Sequence, residues 1–439
     1  MLFPPSPTAV LFRMVTVALL IRMVVVVLVF RDIGAATIDH EQFGWEMGWV
    51  ARSIASGHGF SSPFLLKTGP TALVPPAFPY LLAGIFRVFG VYSQASSFAV
   101  LSLDALFSAL TCIPIYLIAR DSINHRVARL AGWAWVVYPF SIYYSTVVWE
   151  WALTALLFTT CLWLLLRLQR VERVSGWMGF GALYGMTALV NPAVLSVLPV
   201  LFAVVLWRVR RSGRPWFLKA AVTTLTVIAV LAPWTVRTCR TMHILAPIRD
   251  NYWLEFYAGN SGDSFESNVE WAHPASNPVE MRAFVAKGEI AYLADKHQMA
   301  AEFVKHHPAW FAAATVRRFV RYWTGFWSFS PRYLYKEPLD IPNFFFCSAI
   351  TFFMVLGARR FWRQSRNAAL PLVMLIAIFP IAYYFSHASM DYRQPIEPVV
   401  VILVTVGIFG LKSRSEVIDR FSGRHEWMSV LDSRSFVGE

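Results

Sequence analysis

Apolar runs recur from one end of this 439-residue chain to the other, separated by short polar stretches. Ten can be bounded: Thr8 to Phe30, Ser96 to Ile118, Leu130 to Val148, Trp151 to Leu166, Trp177 to Val190, Pro192 to Trp207, Ala220 to Val236, Phe344 to Leu356, Ala368 to Phe385 and Pro398 to Leu411. A helix needs roughly 20 apolar residues to cross a bilayer core, fewer where neighbouring helices cover its ends. The pattern predicts an all-α integral membrane protein with about ten transmembrane helices. Several runs fall short of a full span, and the two flanking Asn191-Pro192 read equally as one broken hairpin.

The polar connections sort by charge. Arg120, Arg126 and Arg129 follow the second run; Arg167, Arg170 and Arg173 follow the fourth. Arg208, Arg210, Arg211, Arg214 and Lys219 follow the sixth, Arg359, Arg360, Arg363 and Arg366 the eighth, and Lys412 and Arg414 the last. The intervening short connections are nearly bare, with Arg393 alone after the ninth run. Lysine and arginine resist translocation. Both termini are therefore expected in the cytoplasm, with the chain in the plasma (inner) membrane and its active face external or periplasmic. Residues 1–236 form a transmembrane core that includes a first external loop, 31–95. A large external loop with interfacial helices follows at 237–341, then C-terminal transmembrane helices at 342–412 and a cytoplasmic tail at 413–439. No Lys or Arg precedes Arg13 and further runs follow, so the first run reads as a retained anchor rather than a signal peptide.

Composition agrees. Hydrophobic residues make up 57% of the chain, charged residues 15%, and the mean hydropathy is +0.50. A soluble protein carries about a quarter charged residues. The net charge of +13 lies largely in the inside connections, where topology requires it, and no basic domain or binding motif points to nucleic acid. Cys112, Cys161 and Cys347 sit inside apolar runs and Cys239 just beyond one, which is neither a disulfide framework nor a metal spacing. The two external segments and the last external connection hold His40, His58, His243, His273, His297, His306, His307 and His387. Any chemistry is expected on that face.

Within the first external loop, Glu46 to Ser56 reads as a short helix with Trp45, Trp49 and Ile54 on an apolar side, ended by Gly57-His58-Gly59. Pro75-Pro76 to Phe89 reads as a second, amphipathic helix entered through prolines. Aromatic-rich helices of this length between two spans fit the membrane interface. Here a resemblance becomes specific. Glu46, Ala51-Arg52, Gly57-His58-Gly59-Phe60, Pro75-Pro76-Ala77-Phe78-Pro79-Tyr80 and Phe89-Gly90 resemble the first periplasmic loop of GT-C glycosyltransferases. Bacterial members of that group include relatives of protein O-mannosyltransferases and of the lipid A aminoarabinose transferase. Pro233-Trp234-Thr235-Val236-Arg237 resembles the close of their seventh span, and Phe303 to Trp323 their loop-closing helix. Asp391-Tyr392-Arg393-Gln394-Pro395-Ile396-Glu397-Pro398 resembles the motif before their last span. One departure stands out: many relatives carry an Asp or an Asp-Glu pair a few residues before Glu46, where this chain has Phe43-Gly44.

The resemblance implies a GT-C fold. It also implies transfer of a sugar from a polyprenyl-phosphate-linked donor to a lipid, glycan or protein acceptor. Such an enzyme has to hold the lipid phosphate with cations, deprotonate an acceptor hydroxyl with a carboxylate and keep water away. The family places that carboxylate in the first loop: Glu46, with Asp39 as the alternative and Glu41 close by. An ordinary carboxylate at a helix N-terminus is the structural alternative. Glu150, the one charged residue between Leu130 and Leu166, is a second catalytic candidate, because an acid at a span's end is costly; the bland reading is an interfacial residue.

For the phosphate the candidates are Arg393 and Arg237, then Arg317 and Arg321, four apart on one helix face with Arg318 between them. A guanidinium's planar fork suits phosphate oxygens, and contact with anionic membrane lipid is the competing use. Trp310, Trp323 and Trp327 read as interfacial anchors near these arginines. Tyr392, beside Arg393, and His58, in the loop motif, complete the substrate-binding candidates. His297, His306 and His307 raise a divalent metal ion beside a carboxylate, although adjacent histidines point to different sides of a helix; no other cofactor is expected. Asn277-Pro278-Val279-Glu280 reads as a helix start with cap, proline and capping-box acid. Arg22, inside the first run, is expected to face protein or to snorkel.

Two other function classes compete. A transporter or flippase for a lipid-linked precursor would favour internal repeats and polar or broken helices at mid-membrane, whereas here the polar weight lies in external loops. An assembly subunit with an inactive body of the same fold is the third reading.

Overall fold

The computed structural model describes residues 7–34, 43–261, 270–325, 331, 335 and 339–411, which are almost wholly helical. Ser61 and Pro70 form the one isolated β-bridge among them. Each predicted apolar run lies on helix, but the runs are not equal. Seven helical segments are long and apolar enough to cross a membrane: Pro7–Ile33, Gln94–Ser122, Trp151–Leu168, Phe217–Met242, Ile341–Gln364, Arg366–Phe385 and Asp391–Phe409. The remaining three runs lie on His125–Val136, Val174–Val190 and Leu198–Arg211, of 12, 17 and 14 residues. At 1.5 Å per residue these reach about 18–26 Å, short of a hydrocarbon core of about 30 Å. Among the described residues seven of the ten predicted runs thus lie on segments with the length of a full span, and three fall short. Local breakers explain the shortfall. Pro139 begins a separate short helix, and Asn191, in extended conformation, accepts the Ala193 amide at 2.9 Å and splits its two helices.

The last helix, Glu397–Phe409, is the hub: every residue from Glu397 to Gly407 is buried. A helix apolar all round is stable only when enclosed. Its tightest neighbour is Asp340–Gln364, where two glycines meet. A Cβ on Gly357 would lie 1.8 Å from the Leu403 carbonyl oxygen, and one on Gly407 2.0 Å from that of Phe353. Small residues allow backbones inside a membrane to pack this closely.

Arg22 faces protein, as one of its two expected alternatives required. Its guanidinium donates to Ser108 Oγ (2.8 Å), Ser141 Oγ (2.6 Å) and the carbonyls of Ala18 (3.0 Å), Trp135 (3.2 Å) and Val136 (3.2 Å). Trp135 and Val136 close the helix His125–Val136, so the cation sits where that helix dipole is negative.

The first-loop helices occur where expected, at Trp45–Ala55 and Ala77–Phe89. Their environments differ. Ala77–Phe89 is amphipathic, burying Phe78, Pro79, Leu82, Ala83 and Phe86 while Tyr80, Val88 and Phe89 stay exposed. Trp45–Ala55 is instead packed within the protein, with Glu46 to Ala51, Ser53 and Ile54 all buried. The departure at Phe43-Gly44 has a packing reason. Phe43 is fully buried against Phe86 and Tyr92, at ring distances of 5.6 and 5.4 Å. Gly44 adopts φ 90°, and a Cβ there would lie 2.9 Å from the Val148 carbonyl oxygen. Neither position has room for an acid.

The Pro233-to-Arg237 motif fastens this loop. Trp234 donates from Nε1 to Ile248 O at 2.7 Å and packs on Phe60 at 4.6 Å. Arg237 donates to the carbonyls of Thr71 and Phe60, both at 2.6 Å.

Candidate active site

A cavity of about 740 Å³ opens where the first loop, the span ends and the second long segment meet. Four parts of the chain bring titratable groups to it, the second long segment at two places. The helix Trp45–Ala55 brings Glu46; the turn before Trp151–Leu168 brings Glu150; the segment after Phe217–Met242 brings Arg249 and Glu255. His273 comes from the second long segment, and His387, Asp391 and Tyr392 come from the connection before the last helix.

Glu46 and His273 are in contact, Oε1 to Nε2, at 2.8 Å. Burial opposes a charge on the imidazole, but the Glu46 charge and hydrogen bond outweigh it and raise the His273 pKa above its ordinary value. Glu150, 5% exposed, immediately precedes a span. Its Oε1 accepts from Asn191 Nδ2 at 3.4 Å, and its Oε2 has no hydrogen-bond partner. Burial pushes this carboxyl up to about 8, against a lowering influence from Arg249. Glu255 behaves oppositely. Burial works against its charge, yet the hydrogen bond and charge of His387, with Arg249 and His273 nearby, hold it below the usual carboxylate range. His387 Nδ1 lies 3.5 Å from Glu255 Oε2 and 3.3 Å from the Tyr392 hydroxyl. Burial thus favours the protonated form of Glu150, while His387 and the nearby cations favour the ionised form of Glu255. Environments that push carboxyl groups apart in this way divide acid and base duties between them. Trp149 and Trp151, with rings 5.7 Å apart, and Tyr383 stacked on Tyr392 at 4.8 Å give the walls flat apolar faces.

Three of the sequence-derived candidates meet here: Glu46, Glu150 and Tyr392. Asp39, with Glu41 and Trp327, lies outside the described residues. The expected phosphate arginines are placed elsewhere. Arg393 is 1% exposed; it donates from Nε to Glu397 and makes 3.4 Å contacts to the carbonyls of Tyr322 and Trp323, away from the cavity. The fork of Arg237 is engaged by the two loop carbonyls. Arg317 and Arg321 ride half-buried on Pro308–Thr324 and do not line the cavity. Arg318 is buried and donates to Gly259 O, Asn260 Oδ1 (3.0 Å) and the carbonyls of Tyr384 and Phe385 (3.2 Å each). His58 is exposed on the turn ending its helix and also lies off the cavity.

The expected helix start at Asn277 is present, with its side chain accepting from Val279 N at 2.9 Å. Glu280 does not complete a capping box; it pairs with Lys296 and Tyr292, at 2.7 Å each. Among the described residues no three His, Cys, Asp or Glu side chains are placed to hold a metal ion. His297 stacks on Trp253 at 3.5 Å, His307 packs on Phe303 at 4.5 Å and His306 bonds to Glu302 O at 2.8 Å, so the histidines considered for that role do not converge.

Sequence reading missed Arg249, Glu255 and Asn191, and left His273, His387 and Asp391 without a role. The polar-aromatic run from Arg249 to Phe256, seven residues beyond the end of a span at Met242, was the available signal.

Residues 73–234, less than half of the chain, match the family model of dolichyl-phosphate-mannose-protein mannosyltransferase. The apo oligosaccharyltransferase of Archaeoglobus fulgidus is similar in structure over 98% of this chain and 52% of its own, with 16% identity and a TM-score of 0.53. The archaeal oligosaccharyltransferase AglB of the same organism, in complex with an inhibitory peptide and a dolichol-phosphate, matches over 98% and 52% at 14% identity, with a TM-score of 0.50. ArnT from Cupriavidus metallidurans, in the apo state, gives a TM-score of 0.47 at 16% identity over 89% of this chain and 60% of that one. No curated protein matches the chain in sequence. The chain spans about half the length of the oligosaccharyltransferase chains. Identities this low speak for fold alone, and the fold is that of the GT-C membrane glycosyltransferases.

Proposed function

We propose that this chain is a membrane glycosyltransferase that moves a sugar from a polyprenyl-phosphate-linked donor to a hydroxyl-bearing lipid, glycan or protein acceptor at the external face of the plasma membrane. The match of residues 73–234 to the mannosyltransferase family model supports this, as does the dolichol-phosphate named with AglB. The observation that carries the reading is one cavity at the span ends lined by Glu46, Glu150 and Arg249 together.

The chemistry follows from those three groups. Arg249 offers the donor's phosphate a charge-assisted fork. Glu46 takes the proton of the acceptor hydroxyl as that oxygen bonds to the anomeric carbon. The bond from that carbon to the phosphate oxygen breaks, and its electron pair leaves with the phosphate. Arg249 and the protonated carboxyl of Glu150 stabilise the charge that collects there. The aromatic walls exclude water, which would otherwise compete as acceptor.

The test is label transfer in membranes containing the chain, using short-chain polyprenyl-phosphate donors of several sugars and counting glycolipid and glycoprotein products. Glu46→Gln should abolish transfer while leaving the amount of folded protein unchanged. Arg249→Ala should raise the donor requirement roughly ten- to a hundredfold, as expected for the loss of about 1.5–3 kcal/mol in a charged hydrogen bond. Full activity in both variants would overturn the reading.

A further inference from the structure

We propose that His273 is the positioning residue for Glu46: its imidazole holds Oε1, so that Oε2 is the oxygen that receives the acceptor's proton. The inference rests on the reading of Glu46 as the base.

The imidazole is fixed from its own backbone. His273 O accepts from Ser276 N at 3.1 Å and Asn277 N at 2.9 Å, and Asn277 Nδ2 donates to Trp271 O at 2.5 Å, so the turn carrying the histidine is laced to itself. Phe64 and Trp45 meet the ring edge-on, at 5.6 Å and 81° and at 6.3 Å and 83°. The tautomer is fixed as well. Ala275 N–H donates to Nδ1 at 3.3 Å, so a neutral ring carries its proton on Nε2, the atom 2.8 Å from Glu46 Oε1. Which nitrogen is protonated follows from what the other one accepts.

Glu46 supplies what such a holder needs. Its side chain has three rotatable bonds and enters the cavity from the first turn of its helix. Among the described residues His273 is the one group bonded to its carboxylate. Oε1 is thus committed as an acceptor, and Oε2 keeps its lone pairs for substrate. During transfer the acceptor's O–H proton moves to Oε2, its oxygen bonds to the anomeric carbon, and the phosphate leaves with the electron pair of the broken bond. His273 keeps its Nε2 proton throughout. The other charged groups facing this cavity are Glu150, Arg249, Glu255, His387 and Asp391, and none of them bonds to Glu46.

The alternative is that the pair only staples the second long segment to the first loop. The purified chain, assayed for kcat and KM with a short-chain polyprenyl-phosphate sugar donor, separates the two. For positioning, His273→Ala lowers kcat on the order of tenfold to a hundredfold with donor KM nearly unchanged, since about 1 Å of misplacement costs roughly 10²-fold. His273→Gln, whose side-chain N–H reaches a similar place, restores most of kcat. If His273→Ala does not fold, His273→Leu, which fills the space without an N–H, takes its place. A staple predicts instead less folded protein with normal kcat in whatever folds; that result overturns the inference. Its failure is distinct from that of the functional reading, which falls only if Glu46→Gln and Arg249→Ala both stay fully active.

Discussion

Glu289 accepts the Thr71 hydroxyl at 2.5 Å on Oε2 and the Ala72 amide at 2.7 Å on Oε1, joining the second long segment to the first loop across more than two hundred residues. Asp250 lies against the same carboxyl, and its amide donates to Ala72 O at 3.0 Å. Burial and the Asp250 charge push Glu289 up to about 8, with Thr71, the Ala72 amide and Arg237 acting the other way. Burial raises Asp250 to about 6, opposed by its hydrogen bond to Glu289 and by Arg249.

Both shifts have one sign. A carboxyl whose folded pKa exceeds its unfolded value, about 4.3 for Glu, binds a proton in the folded state that the unfolded chain has already lost. Its stability contribution is full below that unfolded value and fades as pH rises through the folded one. Thermal stability in detergent should therefore fall between about pH 4.5 and 8, and Glu289→Gln should flatten that slope. An unchanged slope in the variant would remove the pair as the cause.

Arg393 and Glu397 test a buried charge pair. Arg393 is 1% exposed and Glu397 fully buried, with Glu397 Oε2 also accepting the Tyr138 hydroxyl at 2.6 Å. Breaking such a pair by removing one partner costs about 3–5 kcal/mol. Arg393→Ala should sharply reduce folded protein, and Arg393→Met with Glu397→Gln should recover much of it while keeping an acceptor for Tyr138. An arginine serving the donor would do the reverse, sparing folded yield and raising the donor requirement. Measuring both quantities in one preparation distinguishes them.

The glycine crossing gives a third test. At Gly357 a methyl group meets the Leu403 backbone at 1.8 Å, and a backbone cannot move aside as a side-chain tip can. Gly357→Ala should cost about 3 kcal/mol or more, at the upper end for overpacking. Gly84→Ala, on an open helix face with nothing within 4 Å, should be neutral or gain up to about 1 kcal/mol from helix propensity. Melting temperatures by fluorescence-detected gel filtration would check the contrast.

Orientation can be read from a native thiol. Cys112, Cys161 and Cys347 are buried and Cys239 is exposed, near the end of Phe217–Met242 that carries Arg237. If the arginine-rich connections are cytoplasmic, a membrane-impermeant maleimide should label Cys239 in intact cells. Ser212→Cys on a Cys239→Ser background should label only after permeabilisation. The opposite pattern would invert the topology.

Much of the architecture was readable because hydrophobicity, turn residues and caps act locally. Apolar runs located the helices, Asn277 announced its cap, and Gly57-His58-Gly59 marked the end of the first-loop helix. Glu150 stood out for a related reason, as an acid at the edge of an apolar stretch, whereas Glu46 stood out through the resemblance of its loop to a known family. The Arg393 pairing was readable too, since Glu397 lies four residues on, yet the bare external connection made the arginine look available. Other features had no local trace. The fork of Arg237 is taken by backbone carbonyls 166 and 177 positions away, and carbonyls are the same in every residue. The cavity gathers positions 46, 150, 249, 255, 273, 387 and 391, whose encounter depends on how whole helices pack. The sequence by itself determined which segments leave water and which residues carry charge. Tertiary structure decided which charges satisfy one another and which still face open space, because burial and hydrogen-bond geometry belong to the assembled helices and to no stretch of chain alone.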